Sequence, residues 1–227
     1  MPRRETPFLP DHYYHFYNRG NNRQALFFGR ENYLYFLEDV KQYLCPFVDV
    51  LAYCLMPTHY HLLGRVKPPQ QPQQPQTSEV FKTSEVCSSG EAASSVQASE
   101  VSRRVSLAMQ KLGISYTKAI NKRFARVGAL FQGQFRGKPV KNYEHLLSLC
   151  VYIHANPVKD GLVTLPEDWE YSNYPDWIGL RSGTLVDREF IQEHFGVPAD
   201  YKSLVLDYLG VRSLSDDIRK ILQDLED

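Results

Sequence analysis

The alternation of hydrophobic and polar positions divides the chain into short segments of recognisable period. His12 to Asn18 (HYYHFYN) is rich in the aromatic residues that favour strands and runs into Arg19-Gly20-Asn21-Asn22, a cluster of turn formers, which predicts a first strand. From Glu31 to Leu44, apolar residues fall at 33, 34, 36, 37, 40, 43 and 44, the spacing of one helix face. Phe47 to Leu55 predicts a second strand, Met56-Pro57-Thr58 breaks it, and His59 to Val66 predicts a third, hairpin-paired with the second. Val101 to Arg126 then places Val105, Ala108, Leu112, Tyr116, Ala119, Ile120 and Phe124 on one stripe of a long amphipathic helix, with Gly128 as its stop. Leu130 to Val140 reads as a loop or edge strand, and Tyr143 to His154 as a further helix ended by Asn156-Pro157. The order βαββ, insert, αβα predicts an α+β fold, one antiparallel sheet with helices packed on one face.

The insert, Lys67 to Glu100, combines PPQQPQQPQ with the near-repeats TSEV (77–80), TSEV (83–86) and ASEV (98–101), and its only aromatic residue is Phe81. So little apolar area does not offset the entropy of ordering, and the expectation is a disordered segment without catalytic residues.

Composition narrows the class. Over 227 residues, 43% are hydrophobic and 13% aromatic, enough to build a core. No apolar run approaches the 18 or so residues of a membrane span, and the opening MPRRETPFLPDHYY has no apolar signal segment. Cys45, Cys54, Cys87 and Cys150 match neither a zinc-ribbon spacing nor a dense disulfide framework. The expectation is a cytoplasmic protein with reduced thiols and no membrane partner. The formal net charge of zero hides an asymmetry: residues 101–145 carry ten Lys and Arg against Glu144, a net of +9, whereas residues 160–227 carry six basic and fifteen acidic side chains, a net of −9. A concentrated basic stretch suits a polyanion, although a solvated helix face accounts for it as well.

His59-Tyr60-His61 is the first motif with chemistry in it. On a strand, residues i and i+2 share a face, so the two imidazoles can converge on one ion while Tyr60 turns into the core. By itself the pair is equally readable as two buried histidines satisfied by the backbone, and a metal site would need a third ligand. Arg19, Asn21, Asn22 and Arg23 set forked and amide donors around a glycine, a composition suited to phosphate and base edges. Gln132, Arg136 and Lys138 interleave with Phe131 and Phe135, which suits base stacking and backbone tracking of a single strand, or simple core packing of the two rings.

Taken in order, Tyr17-Asn18-Arg19-Gly20-Asn21-Asn22-Arg23, Met56-Pro57-Thr58-His59-Tyr60-His61-Leu62-Leu63, Leu130-Phe131-Gln132-Gly133-Gln134-Phe135-Arg136 and Tyr152-Ile153-His154-Ala155-Asn156-Pro157-Val158 resemble the motifs of the REP-associated tyrosine transposases, a branch of the single-tyrosine HUH (IS200-like) transposases. The resemblance spans about residues 12–180 apart from the insert. It implies a ferredoxin-like HUH endonuclease fold whose halves are residues 1–66 and 101–180, separated by the insert 67–100 and followed by an acidic helical extension, 181–227. It also implies a metal-dependent single-stranded-DNA endonuclease and strand transferase acting on hairpin or palindromic repeat DNA through a 5′-phosphotyrosine, nucleoid-associated when on DNA, with a homodimer open as an alternative to a monomer. His59 and His61 would then hold Mg²⁺ or Mn²⁺. The family pattern GxxYxxxxN matches Gly113 to Asn121 and points to Tyr116 as nucleophile, with Lys118 and Lys122 near it; the stripe on which Tyr116 falls also suits the core. At i+4 from Tyr116 stands Ile120, which cannot ligate, so Asn121 is the nearest amide for a third ligand. Ile120 leaves open a non-catalytic nucleic-acid-binding protein of the same fold, and a phosphodiesterase using activated water is a further alternative. His154 and Asn156 read as packing and capping residues.

Overall fold

The computed structural model describes residues 6–69 and 90–210. Four antiparallel strands, β1 (Tyr13–Arg19), β2 (Val48–Met56), β3 (His59–Val66) and β4 (Arg136–Pro139), lie in the order β2-β3-β1-β4. Between β1 and β2 runs α1 (Arg30–Asp39), which passes into a π-helical turn, Val40–Leu44. Between β3 and β4 runs α2 (Gly90–Arg123). This is the split βαβ arrangement of ferredoxin-like domains. It is followed by α3 (Tyr143–Lys159), α4 (Tyr174–Trp177), α5 (Arg188–Phe195) and α6 (Pro198–Gly210).

The pleat divides the hydrophobic residues into two cores. Tyr14 and Phe16 of β1 and Tyr60 and Leu62 of β3 face α1 and α2, packing with Phe36, Val105, Leu112, Tyr116 and Ile120. Leu63 of β3, with Leu51 and Cys54 of β2, packs under α3 and the C-terminal helices, among Leu149, Tyr152, Trp177, Phe190 and Tyr201. The helices are therefore not confined to one face: α1 and α2 cover one side and α3 the other, because β2 and β3 carry apolar residues at both parities and must be buried on both sides.

Two boundaries differ from the pattern-based expectation. The stretch Gly90 to Glu100, assigned to the insert, is helical and extends α2 towards its N-terminus; Glu100 bonds Arg103 and Arg104 one turn on, both at 2.8 Å. The rest of the insert, 70–89, and the tail 211–227 lie outside the described residues. The second difference is Pro157, which does not end α3. Lacking an N–H, it leaves one rung empty, yet the Asp160 N–H donates to the Asn156 carbonyl and the Leu162 N–H to the Pro157 carbonyl, each at 2.9 Å, so the helix carries on to Lys159.

The turn Pro57-Thr58 that starts β3 is held by the segment after β1: the Gly20 N–H donates to the Thr58 carbonyl at 2.7 Å and the Leu26 N–H to the Pro57 carbonyl at 2.8 Å. Position 20 admits only glycine, since a Cβ there would collide with the Gln24 carbonyl.

Strand β2 is a sheet edge, and residues 169–177 cover it. The Leu55 N–H donates to the Tyr171 carbonyl and the Asn173 N–H to the Tyr53 carbonyl, while the indoles of Trp169 and Trp177 donate to Leu55 and Leu51 carbonyls. The fully buried Asn173 uses its amide completely: Oδ1 accepts from the Tyr53 N–H at 2.7 Å and bonds His154 Nε2 at 2.9 Å, and Nδ2 donates to the Leu51 and Leu185 carbonyls. Covering the edge in this way removes a template for pairing with other chains. Asn173→Ala leaves these groups buried without partners, and a loss of about 3 kcal/mol in unfolding free energy is expected; urea titration monitored by circular dichroism checks it, and a change within about 0.5 kcal/mol would show that the edge cover contributes nothing.

Candidate active site

On the α3 side of the sheet, the β1–β3 register pairs Tyr17 with His61 and Arg19 with His59, and the β1–β4 register pairs Tyr17 with Arg136. These side chains emerge on one face, and α3 presents Tyr152, Asn156 and Asp160 to it at i, i+4 and i+8. The cavity they enclose, about 520 Å³, is lined by Tyr17, Arg19, Arg23, His59, His61, Gln132, Arg136, Tyr152, Asn156 and Asp160, with Asn18, Thr58 and Tyr60 completing its wall. The strip 130–132 is tied to 19–21 by the Asn21 N–H on the Leu130 carbonyl and the Gln132 N–H on the Arg19 carbonyl, both at 2.8 Å, and Arg19 Nε donates to the Gln132 side chain. Two segments far apart in sequence therefore form a single basic rim.

The imidazoles are oriented from behind. His59 Nδ1 hydrogen-bonds Thr58 Oγ1 at 3.1 Å, and His61 Nδ1 hydrogen-bonds His15 Nε2 at 2.9 Å. His61 Nε2 is buried with no hydrogen-bond partner among the described residues. His61 stands edge-on to the Tyr152 ring, centroids 5.7 Å apart, and the Lys159 ammonium lies 4.9 Å from the centroid of that ring. Burial holds His61 well below the ordinary imidazole range, with His15, His59 and Lys159 adding to the effect. Burial also lowers His59, opposed by Asp160 and reinforced by Arg19. Both rings are thus kept neutral, the form that ligates metals.

Among the described residues no group of three or more His, Cys, Asp or Glu side chains is placed to hold a metal ion, so a third side-chain ligand beside the two imidazoles would come from another oxygen donor of the lining. Asn156 on α3 offers one such oxygen: its Nδ2 donates to the Tyr152 carbonyl at 3.0 Å, which leaves Oδ1 as the end able to ligate. Two imidazole nitrogens and an amide oxygen fit Mn²⁺ or Mg²⁺, with substrate oxygens and water completing the shell.

Of the residues singled out from sequence, His59, His61, Arg19, Arg23, Gln132 and Arg136 meet in this cavity. Lys138 stands just outside it, its ammonium 5.8 Å from the Tyr17 ring centroid. Asn21 and Asn22 occupy the 3-10 turn after β1, outside the lining. Tyr116 is not in the cavity. It lies on α2, on the opposite side of the sheet, fully buried against Phe27, Phe36 and Phe131, and its hydroxyl donates to the Leu26 carbonyl at 2.8 Å. Burial pushes its phenol far above the ordinary range, with Tyr33 and Asp39 nearby adding to the shift, so it is a core residue and a poor nucleophile. Asn121 bonds the Gly128 carbonyl at 2.9 Å and closes the end of α2, and Lys118 and Lys122 are exposed on that helix away from the cavity. His154 is a packing residue, bonded to the Tyr201 hydroxyl at 2.6 Å and to Asn173.

Tyr152, Asn156, Asp160, Tyr17 and His15 were not legible as site residues. The available signal was Tyr152-x-x-x-Asn156, an i,i+4 pair on one helix face, which reading Pro157 as a helix stop obscured.

Against known proteins, no family model and no curated protein sequence matches the chain. Its fold is similar to the solved structure of a REP-associated tyrosine transposase bound to a REP hairpin, with a TM-score of 0.51 and 17% identity over 82% of this chain and 94% of that one. The α+β sheet with its flanking helices is thus an architecture that the transposase shares.

Burial also lowers His15 to about 3 and His154 to about 4, while in the unfolded chain each imidazole titrates near 6.5. Their neutral burial favours the folded state fully above about pH 6.5, and that contribution is lost as pH falls towards 4, because the unfolded chain then binds the protons that the folded protein excludes. From these two rings, unfolding at pH 5 is expected to take up about two protons, a slope of about 3 kcal/mol per pH unit that vanishes above pH 7, with the burial of His61 acting in the same direction. Urea unfolding between pH 4 and 8 measures it; a flat profile would show that these rings are not buried neutral.

Proposed function

We propose that this chain is a metal-dependent single-stranded-DNA endonuclease and strand transferase of the transposase type, with Tyr152 as its nucleophile. The observation that supports the reading is the meeting of His59 and His61 from β3 with Tyr152 and Asn156 from α3 in one cavity rimmed by Arg19, Arg23 and Arg136. The likeness in fold to a transposase bound to a REP hairpin agrees with a hairpin or palindromic DNA substrate bearing a short single-stranded flank.

In this mechanism Arg19, Arg23 and Arg136 receive the phosphate backbone by charge-assisted hydrogen bonds. His59, His61 and Asn156 Oδ1 would hold Mg²⁺ or Mn²⁺, which would supply Lewis-acid charge at the scissile phosphate. Tyr152 Oη attacks phosphorus in line, losing its proton as the P–O3′ bond breaks; the 3′ oxygen leaves and is protonated, and the strand end remains as a 5′-phosphotyrosine. The Lys159 ammonium lies over the face of the Tyr152 ring and adds positive charge beside the reacting side chain. A second 3′-hydroxyl can reverse the step and join strands without a nucleotide cofactor, because the phosphotyrosine keeps a phosphodiester linkage. The amide that Ile120 could not supply beside Tyr116 stands at i+4 from Tyr152 as Asn156, which supports the catalytic reading over a non-catalytic nucleic-acid-binding one.

The test is covalent capture. Incubation with labelled hairpin DNA and Mn²⁺ followed by denaturing electrophoresis should give a protein–DNA adduct with the wild type and with Tyr116→Phe, and none with Tyr152→Phe. Tyr116→Phe should instead cost about 1 kcal/mol of stability through the loss of its bond to the Leu26 carbonyl. An adduct formed by Tyr152→Phe would overturn the assignment. His59→Ala and His61→Ala should lose the adduct while DNA binding persists.

A further inference from the structure

His15 lies behind the two cavity histidines, and no step of the proposed reaction uses it. It is 1% exposed, on β1, two residues before Tyr17, and Tyr17 is the partner of His61 across the ladder; His15 and His61 are therefore diagonal neighbours on one face of the sheet. Their rings lie nearly parallel, at 16°, with centroids 5.0 Å apart, and His15 Nε2 is 2.9 Å from His61 Nδ1. The ring of Tyr17 stacks on His15 at 4.8 Å and 22°, so the imidazole is held in place from its own strand. A histidine donated to this position by core packing alone would need no hydrogen bond; an apolar ring of the same size would fill it.

We propose that His15 is a positioning residue that accepts the Nδ1–H of His61 and so reserves His61 Nε2 for a divalent cation. The proposal rests on the metal-dependent reading of the cavity. Two neutral imidazoles sharing one hydrogen bond have two proton arrangements. If His15 donates, the single ring proton of His61 sits on Nε2 and closes that nitrogen to a metal. If His15 accepts, with its own proton on Nδ1, His61 carries its proton on Nδ1 and has a free lone pair at Nε2; His15 Nδ1 and His61 Nε2 are both buried and unpartnered among the described residues, so either arrangement leaves one N–H unpaired and a cation at Nε2 is what selects this one. A metal-bound His61 requires the second arrangement. Partners of this kind fix the ring of a ligating histidine and raise its basicity, and losing one typically weakens metal binding about 10- to 100-fold. His59 has the smaller counterpart, Thr58 Oγ1 at its Nδ1. The two ligands thus differ in support: a hydroxyl that can rotate for His59, a rigid stacked ring for His61.

The variants His15→Phe and His15→Gln separate this role from packing, because their expected ranking is opposite under the two. Phe keeps the ring and loses the acceptor; Gln loses the ring and places an amide oxygen close to where Nε2 stood. Binding of Mn²⁺ alone to the DNA-free protein is followed by electron paramagnetic resonance of the free ion. His15→Phe is expected to bind about 10- to 100-fold more weakly than the wild type, and His15→Gln within about threefold of it. Circular dichroism verifies folding, and His15→Met replaces the Phe variant if that one does not fold. Wild-type affinity in the Phe or Met variant, or a Gln variant as weak as Phe, would overturn the role of His15 while leaving the metal site intact. His59→Ala is the control for the site itself: if the wild type binds no Mn²⁺, or if His59→Ala binds as the wild type does, the metal reading fails and the role of His15 falls with it.

Discussion

The pleat of β3 sends Tyr60 to one side of the sheet and His59 and His61 to the other, and most of the molecule follows from that division. Tyr60 anchors the core beneath α1 and α2 through Phe36, at 4.9 Å between ring centroids. The histidines are left on a face that α3 only partly covers, with a cavity instead of close packing. A one-residue slip of β3 against β1 would exchange the two sets and bury both imidazoles under α2. The register is guarded at its start, where the Pro57 and Thr58 carbonyls accept from Leu26 and Gly20.

The second constraint is on α3, which brings Tyr152 and Asn156 to that face. Its middle is held by His154, bonded on one side to Tyr201 of α6 and on the other to Asn173 in the edge cover of β2. The C-terminal helices therefore act on the cavity from a distance: they contribute no lining residue, but they fix the helix that does. A helix held through a buried, hydrogen-bonded ring two residues from each of Tyr152 and Asn156 has little freedom to rotate about its axis, and rotation is what would take those side chains out of the cavity.

Charge is distributed on a different logic from the one the linear sequence suggests. The basic stretch 101–145 does not form one face. Lys118 and Lys122 belong to α2, outside the cavity lining, while Arg136 crosses to the cavity because β4 pairs with β1 in the register that puts it beside Tyr17. Arg19 and Arg23, from outside that stretch, join it there. The basic rim of this cavity is assembled by strand pairing and not by composition.

The strands, α1, α2 and the pairing of His59 with His61 were readable from sequence because each depends on local periodicity: a period of two for the strands, about 3.6 for the helices. Which tyrosine shares a cavity with those histidines was not, and the reason is geometric. Tyr116 and Tyr152 both stand on apolar helix faces, both near basic residues, and nothing within either helix says on which side of the sheet it packs. That is decided by chain connections and by apolar residues at both parities of β2 and β3, which require helices on both faces. Pro157 misled for a similar reason, since its effect on α3 depends on whether Asp160 and Leu162 close the following turn. The contact of His15 with His61 was invisible because only the β1–β3 register brings them together. Sequence determined the strands and helices and the His59–His61 pair on β3; tertiary structure alone decided which side chains share the cavity with that pair, because that depends on contacts between strands and helices more than 90 residues apart.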